Sequence, residues 1–449
     1  MKIEWYTNAC VRITALNGSN VLCDPWVHEG AFLGSWFHWP PIPEGFQEFL
    51  LNEPTDGIYI SHLHPDHYDP KFLSAFSKAR PEVPIYIADF AHSWLKRSIK
   101  AVTGGRSEII EIPTLTKVEV APGLQLKVFA ADTCNPQICG VSIPCQSNPL
   151  LRGIDSIGVF YADEFTVVNA NDAMGVRLVP LVAANIGKAD LLMGHYGGAS
   201  PYPQCFPEVQ DKQAASRAVI ETACKTLVNA ADSLGVKYVM PFAGQYVLGG
   251  RLTDLNGDRA TLPLDEAVAY LRTLTSREIL SVIPFGSINL SDNTKSADYV
   301  EPDPDTALRY LAKISKTKFV YERTGEISWP NFEEDLLRSA RQIVTRSKSA
   351  QILLKNSFVI GDGEKWVTIN LDPDHLETSA AIGYQPQFEN FTEIKMDCDL
   401  LRRLSTRKTN YKGFTTLHWN QADVGSHYVW KRTGEFDLAS HSLLNFYGV

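Results

Sequence analysis

Three histidines and one aspartate lie within six consecutive residues of this chain: His62, His64, Asp66 and His67. They directly follow residues 58–60, an apolar run typical of a buried strand. Imidazole and carboxylate groups together are ligands for zinc, iron or manganese. His62 and His64 are expected to project to one side, whereas Asp66 and His67 come from the following turn and could serve a second ion. The alternative interpretation is a solvated polar loop of histidines.

Strand and helix patterns around this segment predict a layered α/β (α+β) fold. The chain opens with a meander of short β-rich runs at residues 2–6, 11–15 and 20–23. Later predicted strands are interleaved with segments of helical periodicity. Mixed sheets with helices outside suit a four-layer αββα sandwich, whose strand ends converge on one edge.

The spacing of the four motif residues, His-x-His-x-Asp-His, closely resembles the signature of the metallo-β-lactamase superfamily. That resemblance implies further ligands at later strand ends: a middle histidine, a bridging aspartate and a final histidine. Asp172 follows a predicted strand and precedes a helical run, so it matches the bridging aspartate. Asp132 stands where the middle histidine is expected, although an aspartate there is also a common turn residue.

The final histidine of the superfamily has no counterpart after the predicted strand 238–241, where the chain reads Phe242-Ala243-Gly244. His195 follows another strand on the same edge and could replace it; a structural histidine bonded to a backbone carbonyl is the alternative. Carboxylate in place of imidazole shifts the metal preference from zinc toward iron or manganese. We therefore predict two metal ions per chain, with iron first and zinc or manganese as alternatives.

Several segments outside the metal motif are spread in order over most of the chain: Thr7-Asn8-Ala9-Cys10, Cys23-Asp24-Pro25-Trp26, Gly197-Gly198-Ala199-Ser200, Pro241-Phe242-Ala243-Gly244 and residues 418–427. Together they resemble one branch of the superfamily, the CMP-N-acetylneuraminate hydroxylases. Those hydroxylases also carry a Rieske domain, whose iron–sulfur cluster needs paired CxH and CxxH motifs. Neither motif occurs in this sequence, so hydroxylation of a sialyl nucleotide is not carried over.

A polar stretch rich in Pro and Asp, residues 291–305, predicts a linker between two domains. Residues 1–295 are predicted to form the metallo-β-lactamase-like catalytic domain. Residues 305–449 are predicted to form a smaller α+β accessory domain that packs on the first. A length of 449 residues agrees with two domains. His418 and His427 are expected in the interface core between them.

Charge and hydropathy argue against several classes of function. The net charge is −9 with both signs interspersed, which argues against nucleic acid or an anionic membrane as a partner. No stretch approaches 18 uninterrupted apolar residues and the first residues lack a signal-peptide pattern, so a cytoplasmic protein is expected. Eight cysteines are too sparse for a disulfide scaffold. No feature of the sequence indicates the oligomeric state.

A metal-dependent hydrolase is the first functional hypothesis from the sequence. Two adjacent cations lower the pKa of a shared water so that hydroxide forms near neutral pH. Asp66 and His195 are the candidate catalytic residues beside that water. The aromatic-rich segment 26–46 suits a small-molecule substrate, such as an ester, thioester or amide of a bulky metabolite, although its rings could also pack on the sandwich edge.

The sequence also allows two alternative functions. The first is a diiron oxygenase that takes electrons from a separate reductase. The carboxylate-rich ligand set and the hydroxylase resemblance favour it, and the missing Rieske motifs oppose it. The second is a non-catalytic binding protein with a residual metal site, which agrees poorly with a complete His-x-His-x-Asp-His motif.

Overall fold

The computed structural model describes residues 1–90, 93–131, 154–174, 178–322, 331–349, 355–372, 379–406, 418–434 and 438–448. Among these residues, no helix combines the length and the apolar composition that crossing a membrane requires. The strands are β1 (Lys2–Thr7), β2 (Cys10–Thr14), β3 (Asn20–Cys23), β4 (Trp36–His38), β5 (Gly57–Ile60), β6 (Ile85–Ala88), β7 (Ile109–Ile112), β8 (Lys117–Ala121), β9 (Leu124–Ala130), β10 (Ser156–Ala162), β11 (Phe165–Asn171), β12 (Leu191–Gly194), β13 (Tyr238–Pro241), β14 (Tyr246–Leu248), β15 (Glu278–Ile279), β16 (Gly286–Asn289), β17 (Thr294–Lys295), β18 (Asn356–Gly361), β19 (Trp366–Leu371), β20 (Ser379–Ile382), β21 (Phe391–Met396) and β22 (Tyr428–Arg432). The helices are α1 (Ala31–Gly34), α2 (Phe46–Asn52), α3 (Pro70–Ala79), α4 (Trp94–Thr103), α5 (Val179–Ile186), α6 (Lys212–Leu234), α7 (Leu264–Leu274), α8 (Pro304–Ile314), α9 (Phe332–Ser349), α10 (Cys398–Ser405), α11 (Trp419–Val424) and α12 (Leu438–Leu444).

Two large mixed sheets form the centre of the first part of the chain. The strand order is β17-β16-β1-β2-β3-β5-β6-β7 in the first sheet and β15-β13-β12-β11-β10-β9-β8 in the second. Their facing sides share one apolar cluster, to which the first sheet contributes Trp5 and Val11 and the second contributes Leu126, Phe160 and Val167. Since alternate residues of a strand point to opposite faces, each sheet also has an outer face to cover.

Helices cover the outer face of both sheets. Ile60 of β5 belongs to a second apolar cluster together with Phe72 and Phe76 of α3. On the other side, Val182 of α5 and Leu227 of α6 belong to the same apolar cluster as the second sheet. These layers follow the order helix, sheet, sheet, helix, so the predicted αββα sandwich is confirmed.

Parallel pairing brings several strand ends to one edge of the sandwich. Strands β3, β5 and β6 are parallel in the first sheet, and β11, β12 and β13 are parallel in the second. Asp24 follows β3, Ser61 follows β5, Asp172 follows β11 and His195 follows β12. Because the carboxyl ends of parallel strands lie at the same edge of a sheet, these side chains gather there.

The C-terminal part of the chain has a sheet of its own, with the order β20-β19-β18-β21-β22. Phe358 and Ile369 of this sheet pack with Leu400 of α10 in an apolar cluster that also includes Leu33 and Phe206 from the first part. The predicted α+β character of this part is confirmed. At the start of the predicted linker, β17 pairs with β16 of the first sheet. The boundary between the two domains stays a prediction.

Candidate metal centre

The histidine motif occupies the turn between β5 and α3. The backbone N–H groups of His67 and Tyr68 both donate to the carbonyl of His64, at 3.0 and 2.8 Å. His62 Nε2 and His64 Nδ1 lie 3.0 Å apart, and the ring centroids of His62 and His67 are 4.1 Å apart. His62 and His67 are fully buried. Three imidazole rings therefore converge in a buried turn, which does not fit a solvated loop.

Three carboxylates surround these rings. Asp172 Oδ2 lies 3.4 Å from His67 Nε2 and 3.8 Å from His62 Nε2. Asp155 Oδ1 lies 3.7 Å from His62 Nε2, and Asp66 Oδ2 lies 3.5 Å from His67 Nε2. The structure thus brings together the predicted residues of the motif and Asp172. We name His62, His64 and Asp155 the first metal position, and Asp66, His67 and Asp172 the second metal position.

The donor atoms of this centre have the spacing that a metal ion requires. Among the described residues, the ligand atoms of His62, His64 and Asp155 lie within 4.8 Å of one another, as do those of His62, His67 and Asp172. Buried His67 Nε2, Asp66 Oδ1 and Asp155 Oδ1 have no hydrogen-bond partner. An unpaired buried polar atom costs about 1–3 kcal/mol, and a cation bound here would satisfy all three. The residues present therefore fit the predicted pair of metal ions.

Two residues of the second metal position, Asp66 and His67, have pKa values raised by their surroundings. Burial raises the pKa of the Asp66 carboxyl to about 7. Burial opposes protonation of His67, but the Asp66 and Asp172 carboxylates outweigh it and raise the pKa of that imidazole well above its usual value. A metal ion must displace these protons to reach its ligands.

Metal affinity at the second metal position is expected to fall as the pH drops below 7. Protons on Asp66 and His67 compete with the cation, so the affinity should fall about tenfold per pH unit for each proton displaced. Titration of the metal-free protein with Zn(II) and a competing chelator, from about pH 5.5 to 8, measures this slope. In Asp66→Asn, metal binding should release about one proton fewer, so the affinity should change less steeply with pH. An affinity that is independent of pH would contradict the assignment.

Asp24 holds the motif in place and was not among the predicted site residues. Its side chain is fully buried, and its Oδ1 accepts a hydrogen bond from the backbone N–H of Ser61 at 2.7 Å. Its Oδ2 accepts from the Ser61 hydroxyl at 2.7 Å and lies 3.0 Å from His67 Nδ1. With Nδ1–H donated to Asp24, His67 presents Nε2 to a cation. The signal in the sequence was an aspartate directly after a buried strand.

Asp155 is the second site residue that the sequence prediction missed. The predicted middle ligand, Asp132, lies outside the described residues. Strands β9 and β10 are antiparallel, and Ser156 at the start of β10 pairs with Ala130 at the end of β9. The backbone N–H of Ala131 donates to the carbonyl of Asp155 at 2.8 Å. The middle ligand position can therefore be supplied from the start of β10 as well as from the end of β9.

His195 makes the backbone contact that was one of the two alternatives from the sequence. Its Nδ1 lies 3.1 Å from the backbone carbonyl oxygen of Asn171. A histidine that donates Nδ1–H to a carbonyl keeps Nε2 available for a cation or for proton transfer. His195 and Asp172 line the same cavity, and so do Ala243 and Gly244, which stand where the superfamily's final histidine is expected. A metal role for His195 stays a prediction.

A cavity of about 230 Å³ opens onto the candidate ligands. His64, Asp66, Asp172 and His195 are polar residues that line it. Phe32, Trp36 and Tyr246 also line it and form an aromatic wall, in which the rings of Trp36 and Tyr246 stack with centroids 3.4 Å apart. Phe32 and Trp36 belong to the aromatic segment predicted to cover a substrate. Their place in the cavity wall agrees with a bulky organic ligand.

Comparison with known proteins agrees with this geometry. Residues 2–136 match the β-lactamase superfamily domain. This stretch contains Asp24 and the whole His-x-His-x-Asp-His motif, and it ends before Asp155 and Asp172. The predicted resemblance to the metallo-β-lactamase superfamily is confirmed.

Curated relatives extend the superfamily resemblance beyond that domain. The chain is similar to cytidine monophosphate-N-acetylneuraminic acid hydroxylase of Xenopus laevis, with 25% identity over 355 residues, which cover 75% of this chain and 53% of the relative. It is also similar to a Mycolicibacterium smegmatis protein whose name describes a Rieske 2Fe-2S iron–sulfur protein, with 28% identity over 320 residues, 68% of this chain and 57% of the relative. The chain thus spans little more than half the length of these relatives. The predicted resemblance to the hydroxylase branch is confirmed.

One solved structure with a similar fold is Igni18, described as a metallo hydrolase from the archaeon Ignicoccus hospitalis. The TM-score is 0.39 and the sequence identity 13%, over 64% of this chain and 97% of that chain. The reaction is therefore argued from the residues of the site.

Proposed function

We propose that the chain is a dinuclear iron enzyme that hydroxylates a bulky small molecule with O₂. The donor set carries the proposal, because Asp66, Asp155 and Asp172 lie around three imidazole rings. Three carboxylates make a hard, negatively charged site, which favours iron or manganese over zinc. Similarity to a hydroxylase over three quarters of the chain supports the same type of reaction.

The protein's side chains would bind the substrate and handle protons, while two ferrous ions would supply the redox chemistry with O₂. Asp66, with its unpaired Oδ1, and His195 both line the cavity and can hold or move a proton. The stacked rings of Trp36 and Tyr246 would hold an apolar substrate and exclude water from the reacting carbon.

Hydroxylation also requires a source of electrons. One C–H bond, one O₂, two protons and two electrons give one C–OH bond and one water. We propose that these electrons come from a separate reductase or iron–sulfur protein. Similarity to a protein named for a Rieske 2Fe-2S centre supports a donor of that class.

Oxygen uptake by the iron-loaded protein tests the proposal. Protein stripped of metal and reconstituted with Fe(II) under nitrogen is expected to consume O₂ in the presence of ascorbate, in proportion to its bound iron. A zinc-loaded sample is the control and should consume none. In a substrate screen, the product should gain ¹⁸O from ¹⁸O₂. Uptake no faster than that of free Fe(II) would contradict the proposal.

A metal-dependent hydrolase is the second candidate. The cavity position of Asp66 favours it, because a buried carboxylate with an unpaired oxygen can accept a proton from a metal-activated water. The same screen separates the two functions. Anaerobic cleavage of an ester, thioester or amide by the zinc-loaded protein, with ¹⁸O taken from water, would establish the hydrolase instead.

A further inference from the structure

A helix of the C-terminal part reaches the metal centre. Asn420 lies in the first turn of α11, and its Oδ1 is 2.9 Å from His64 Nε2. The backbone N–H of Asn420 donates to His418 Nδ1 at 3.2 Å, so His418 caps this helix at its N-terminus. Asn420 and His64 are 356 positions apart in the sequence. The contact therefore joins two distant parts of the chain at a candidate ligand.

The Asn420 contact determines which nitrogen of His64 can bind a metal ion. A neutral imidazole carries one N–H and one free nitrogen. His64 Nδ1 faces His62 Nε2, at 3.0 Å, in the first metal position. Nδ1 can bind a cation only when the N–H of the neutral ring is at Nε2. Asn420 Oδ1, 2.9 Å from Nε2, accepts a hydrogen bond from that N–H and so favours this tautomer.

We propose that Asn420 is a positioning residue for the first metal position. It fixes His64 in the tautomer and ring orientation that present Nδ1 to the cation, so the C-terminal part completes the metal centre. This inference rests on the proposed function, because it assumes that His62, His64 and Asp155 hold a metal ion.

Tight packing around α11 holds Asn420 beside His64. Trp419, the next residue, is fully buried and packs on Tyr428 and Tyr447, with centroid distances of 4.6 and 5.3 Å. The Tyr428 hydroxyl donates to the carbonyl of Trp419 at 3.2 Å. Since α11 is anchored by buried rings, the amide of Asn420 is held at a fixed distance from the turn that carries His64.

Two further contacts attach the same segment to the cavity wall. His427 Nε2 lies 2.9 Å from the carbonyl oxygen of Phe32, and Val424 lines the cavity together with Phe32. A Cβ added at Gly425 would lie 2.8 Å from that same carbonyl oxygen, so glycine permits the close approach. Residues of α11 and the segment after it therefore shape the cavity as well as the metal centre.

Co(II) binding tests the role of Asn420, because its absorption spectrum reports the ligand geometry independently of turnover. Asn420→Ala removes the acceptor and is expected to lower Co(II) affinity at the first metal position about 10- to 100-fold and to change the visible bands. Asn420→Asp keeps an oxygen acceptor and should bind Co(II) nearly as well as wild type. Asn445→Ala, which changes a partly buried asparagine of the same C-terminal part, is the matched control.

Co(II) binding and thermal unfolding of the two Asn420 variants decide whether Asn420 positions His64. Wild-type affinity and spectrum in Asn420→Ala would overturn the positioning role, and so would equal losses in Asn420→Ala and Asn420→Asp. If Asn420→Ala loses its thermal unfolding transition while Asn420→Asp keeps transition and affinity, the need for an acceptor is upheld. If wild type itself binds no Co(II), the proposed metal centre fails and this inference fails with it.

Discussion

Asp172→Asn is expected to remove the metal ion of the second metal position and to lower metal-dependent turnover at least about a hundredfold. Asp172 Oδ2 lies 3.4 Å from His67 Nε2 in the second metal position and 3.8 Å from His62 Nε2 in the first, so this carboxylate can contact both metal positions. Asparagine keeps the volume of the side chain but removes its charge. Metal content per chain by mass spectrometry and O₂ uptake by the iron-loaded protein measure the two effects.

The matched control for Asp172→Asn is Asp190→Asn. Asp190 lies near the opposite end of the same sheet, where its Oδ2 accepts a hydrogen bond from the backbone N–H of Thr166 at the start of β11. This variant should keep full metal content and turnover. If Asp172→Asn also kept both, the bridging role of Asp172 would be wrong.

Replacement of Asp155 should have the next largest effect. Asp155→Ala leaves His62 and His64 without the third donor of the first metal position, so we expect metal content to fall toward one ion per chain. Asp155→His supplies an imidazole in its place and should restore the second ion. Since imidazole is a softer ligand than carboxylate, Asp155→His should also raise the ratio of zinc to iron in protein purified without chelators.

Asp132→Ala separates the candidate ligand that the structure places in the centre, Asp155, from the one expected from the sequence. If Asp155 is the third donor, Asp132→Ala should keep its metal. Loss of metal in Asp132→Ala together with full content in Asp155→Ala would instead favour the assignment made from the sequence alone. Circular dichroism of both variants checks that the fold is intact.

The fold and the histidine motif could be predicted because their signals are local. The period of apolar residues reports strands and helices directly, and His62 to His67 lie in one short turn after a strand. Asp172 could be found for a similar reason, since it ends a strand whose apolar run is visible in the sequence. The positions of such residues depend on their neighbours in the sequence, so they can be predicted from the sequence alone.

Asp24, Asp155 and Asn420 were missed because tertiary packing places them. Asp155 lies beside the end of β9 only through the antiparallel register of β9 and β10, which the sequence does not specify. Asp24 contacts His67 because β3 and β5 are parallel neighbours. Asn420 reaches His64 across 356 positions. None of these three contacts follows from spacing along the chain.

The separation of His64 and Asn420 has a consequence for how the chain would acquire a metal ion at the first metal position. At a translation rate of about 5–20 residues per second, roughly 20–70 s pass between the synthesis of the two residues. During that time the nascent chain has the histidine turn but no partner for His64 Nε2. Durable metal binding at the first metal position is therefore expected only after residue 420 has left the ribosome and docked, so metal uptake would follow the synthesis of the chain.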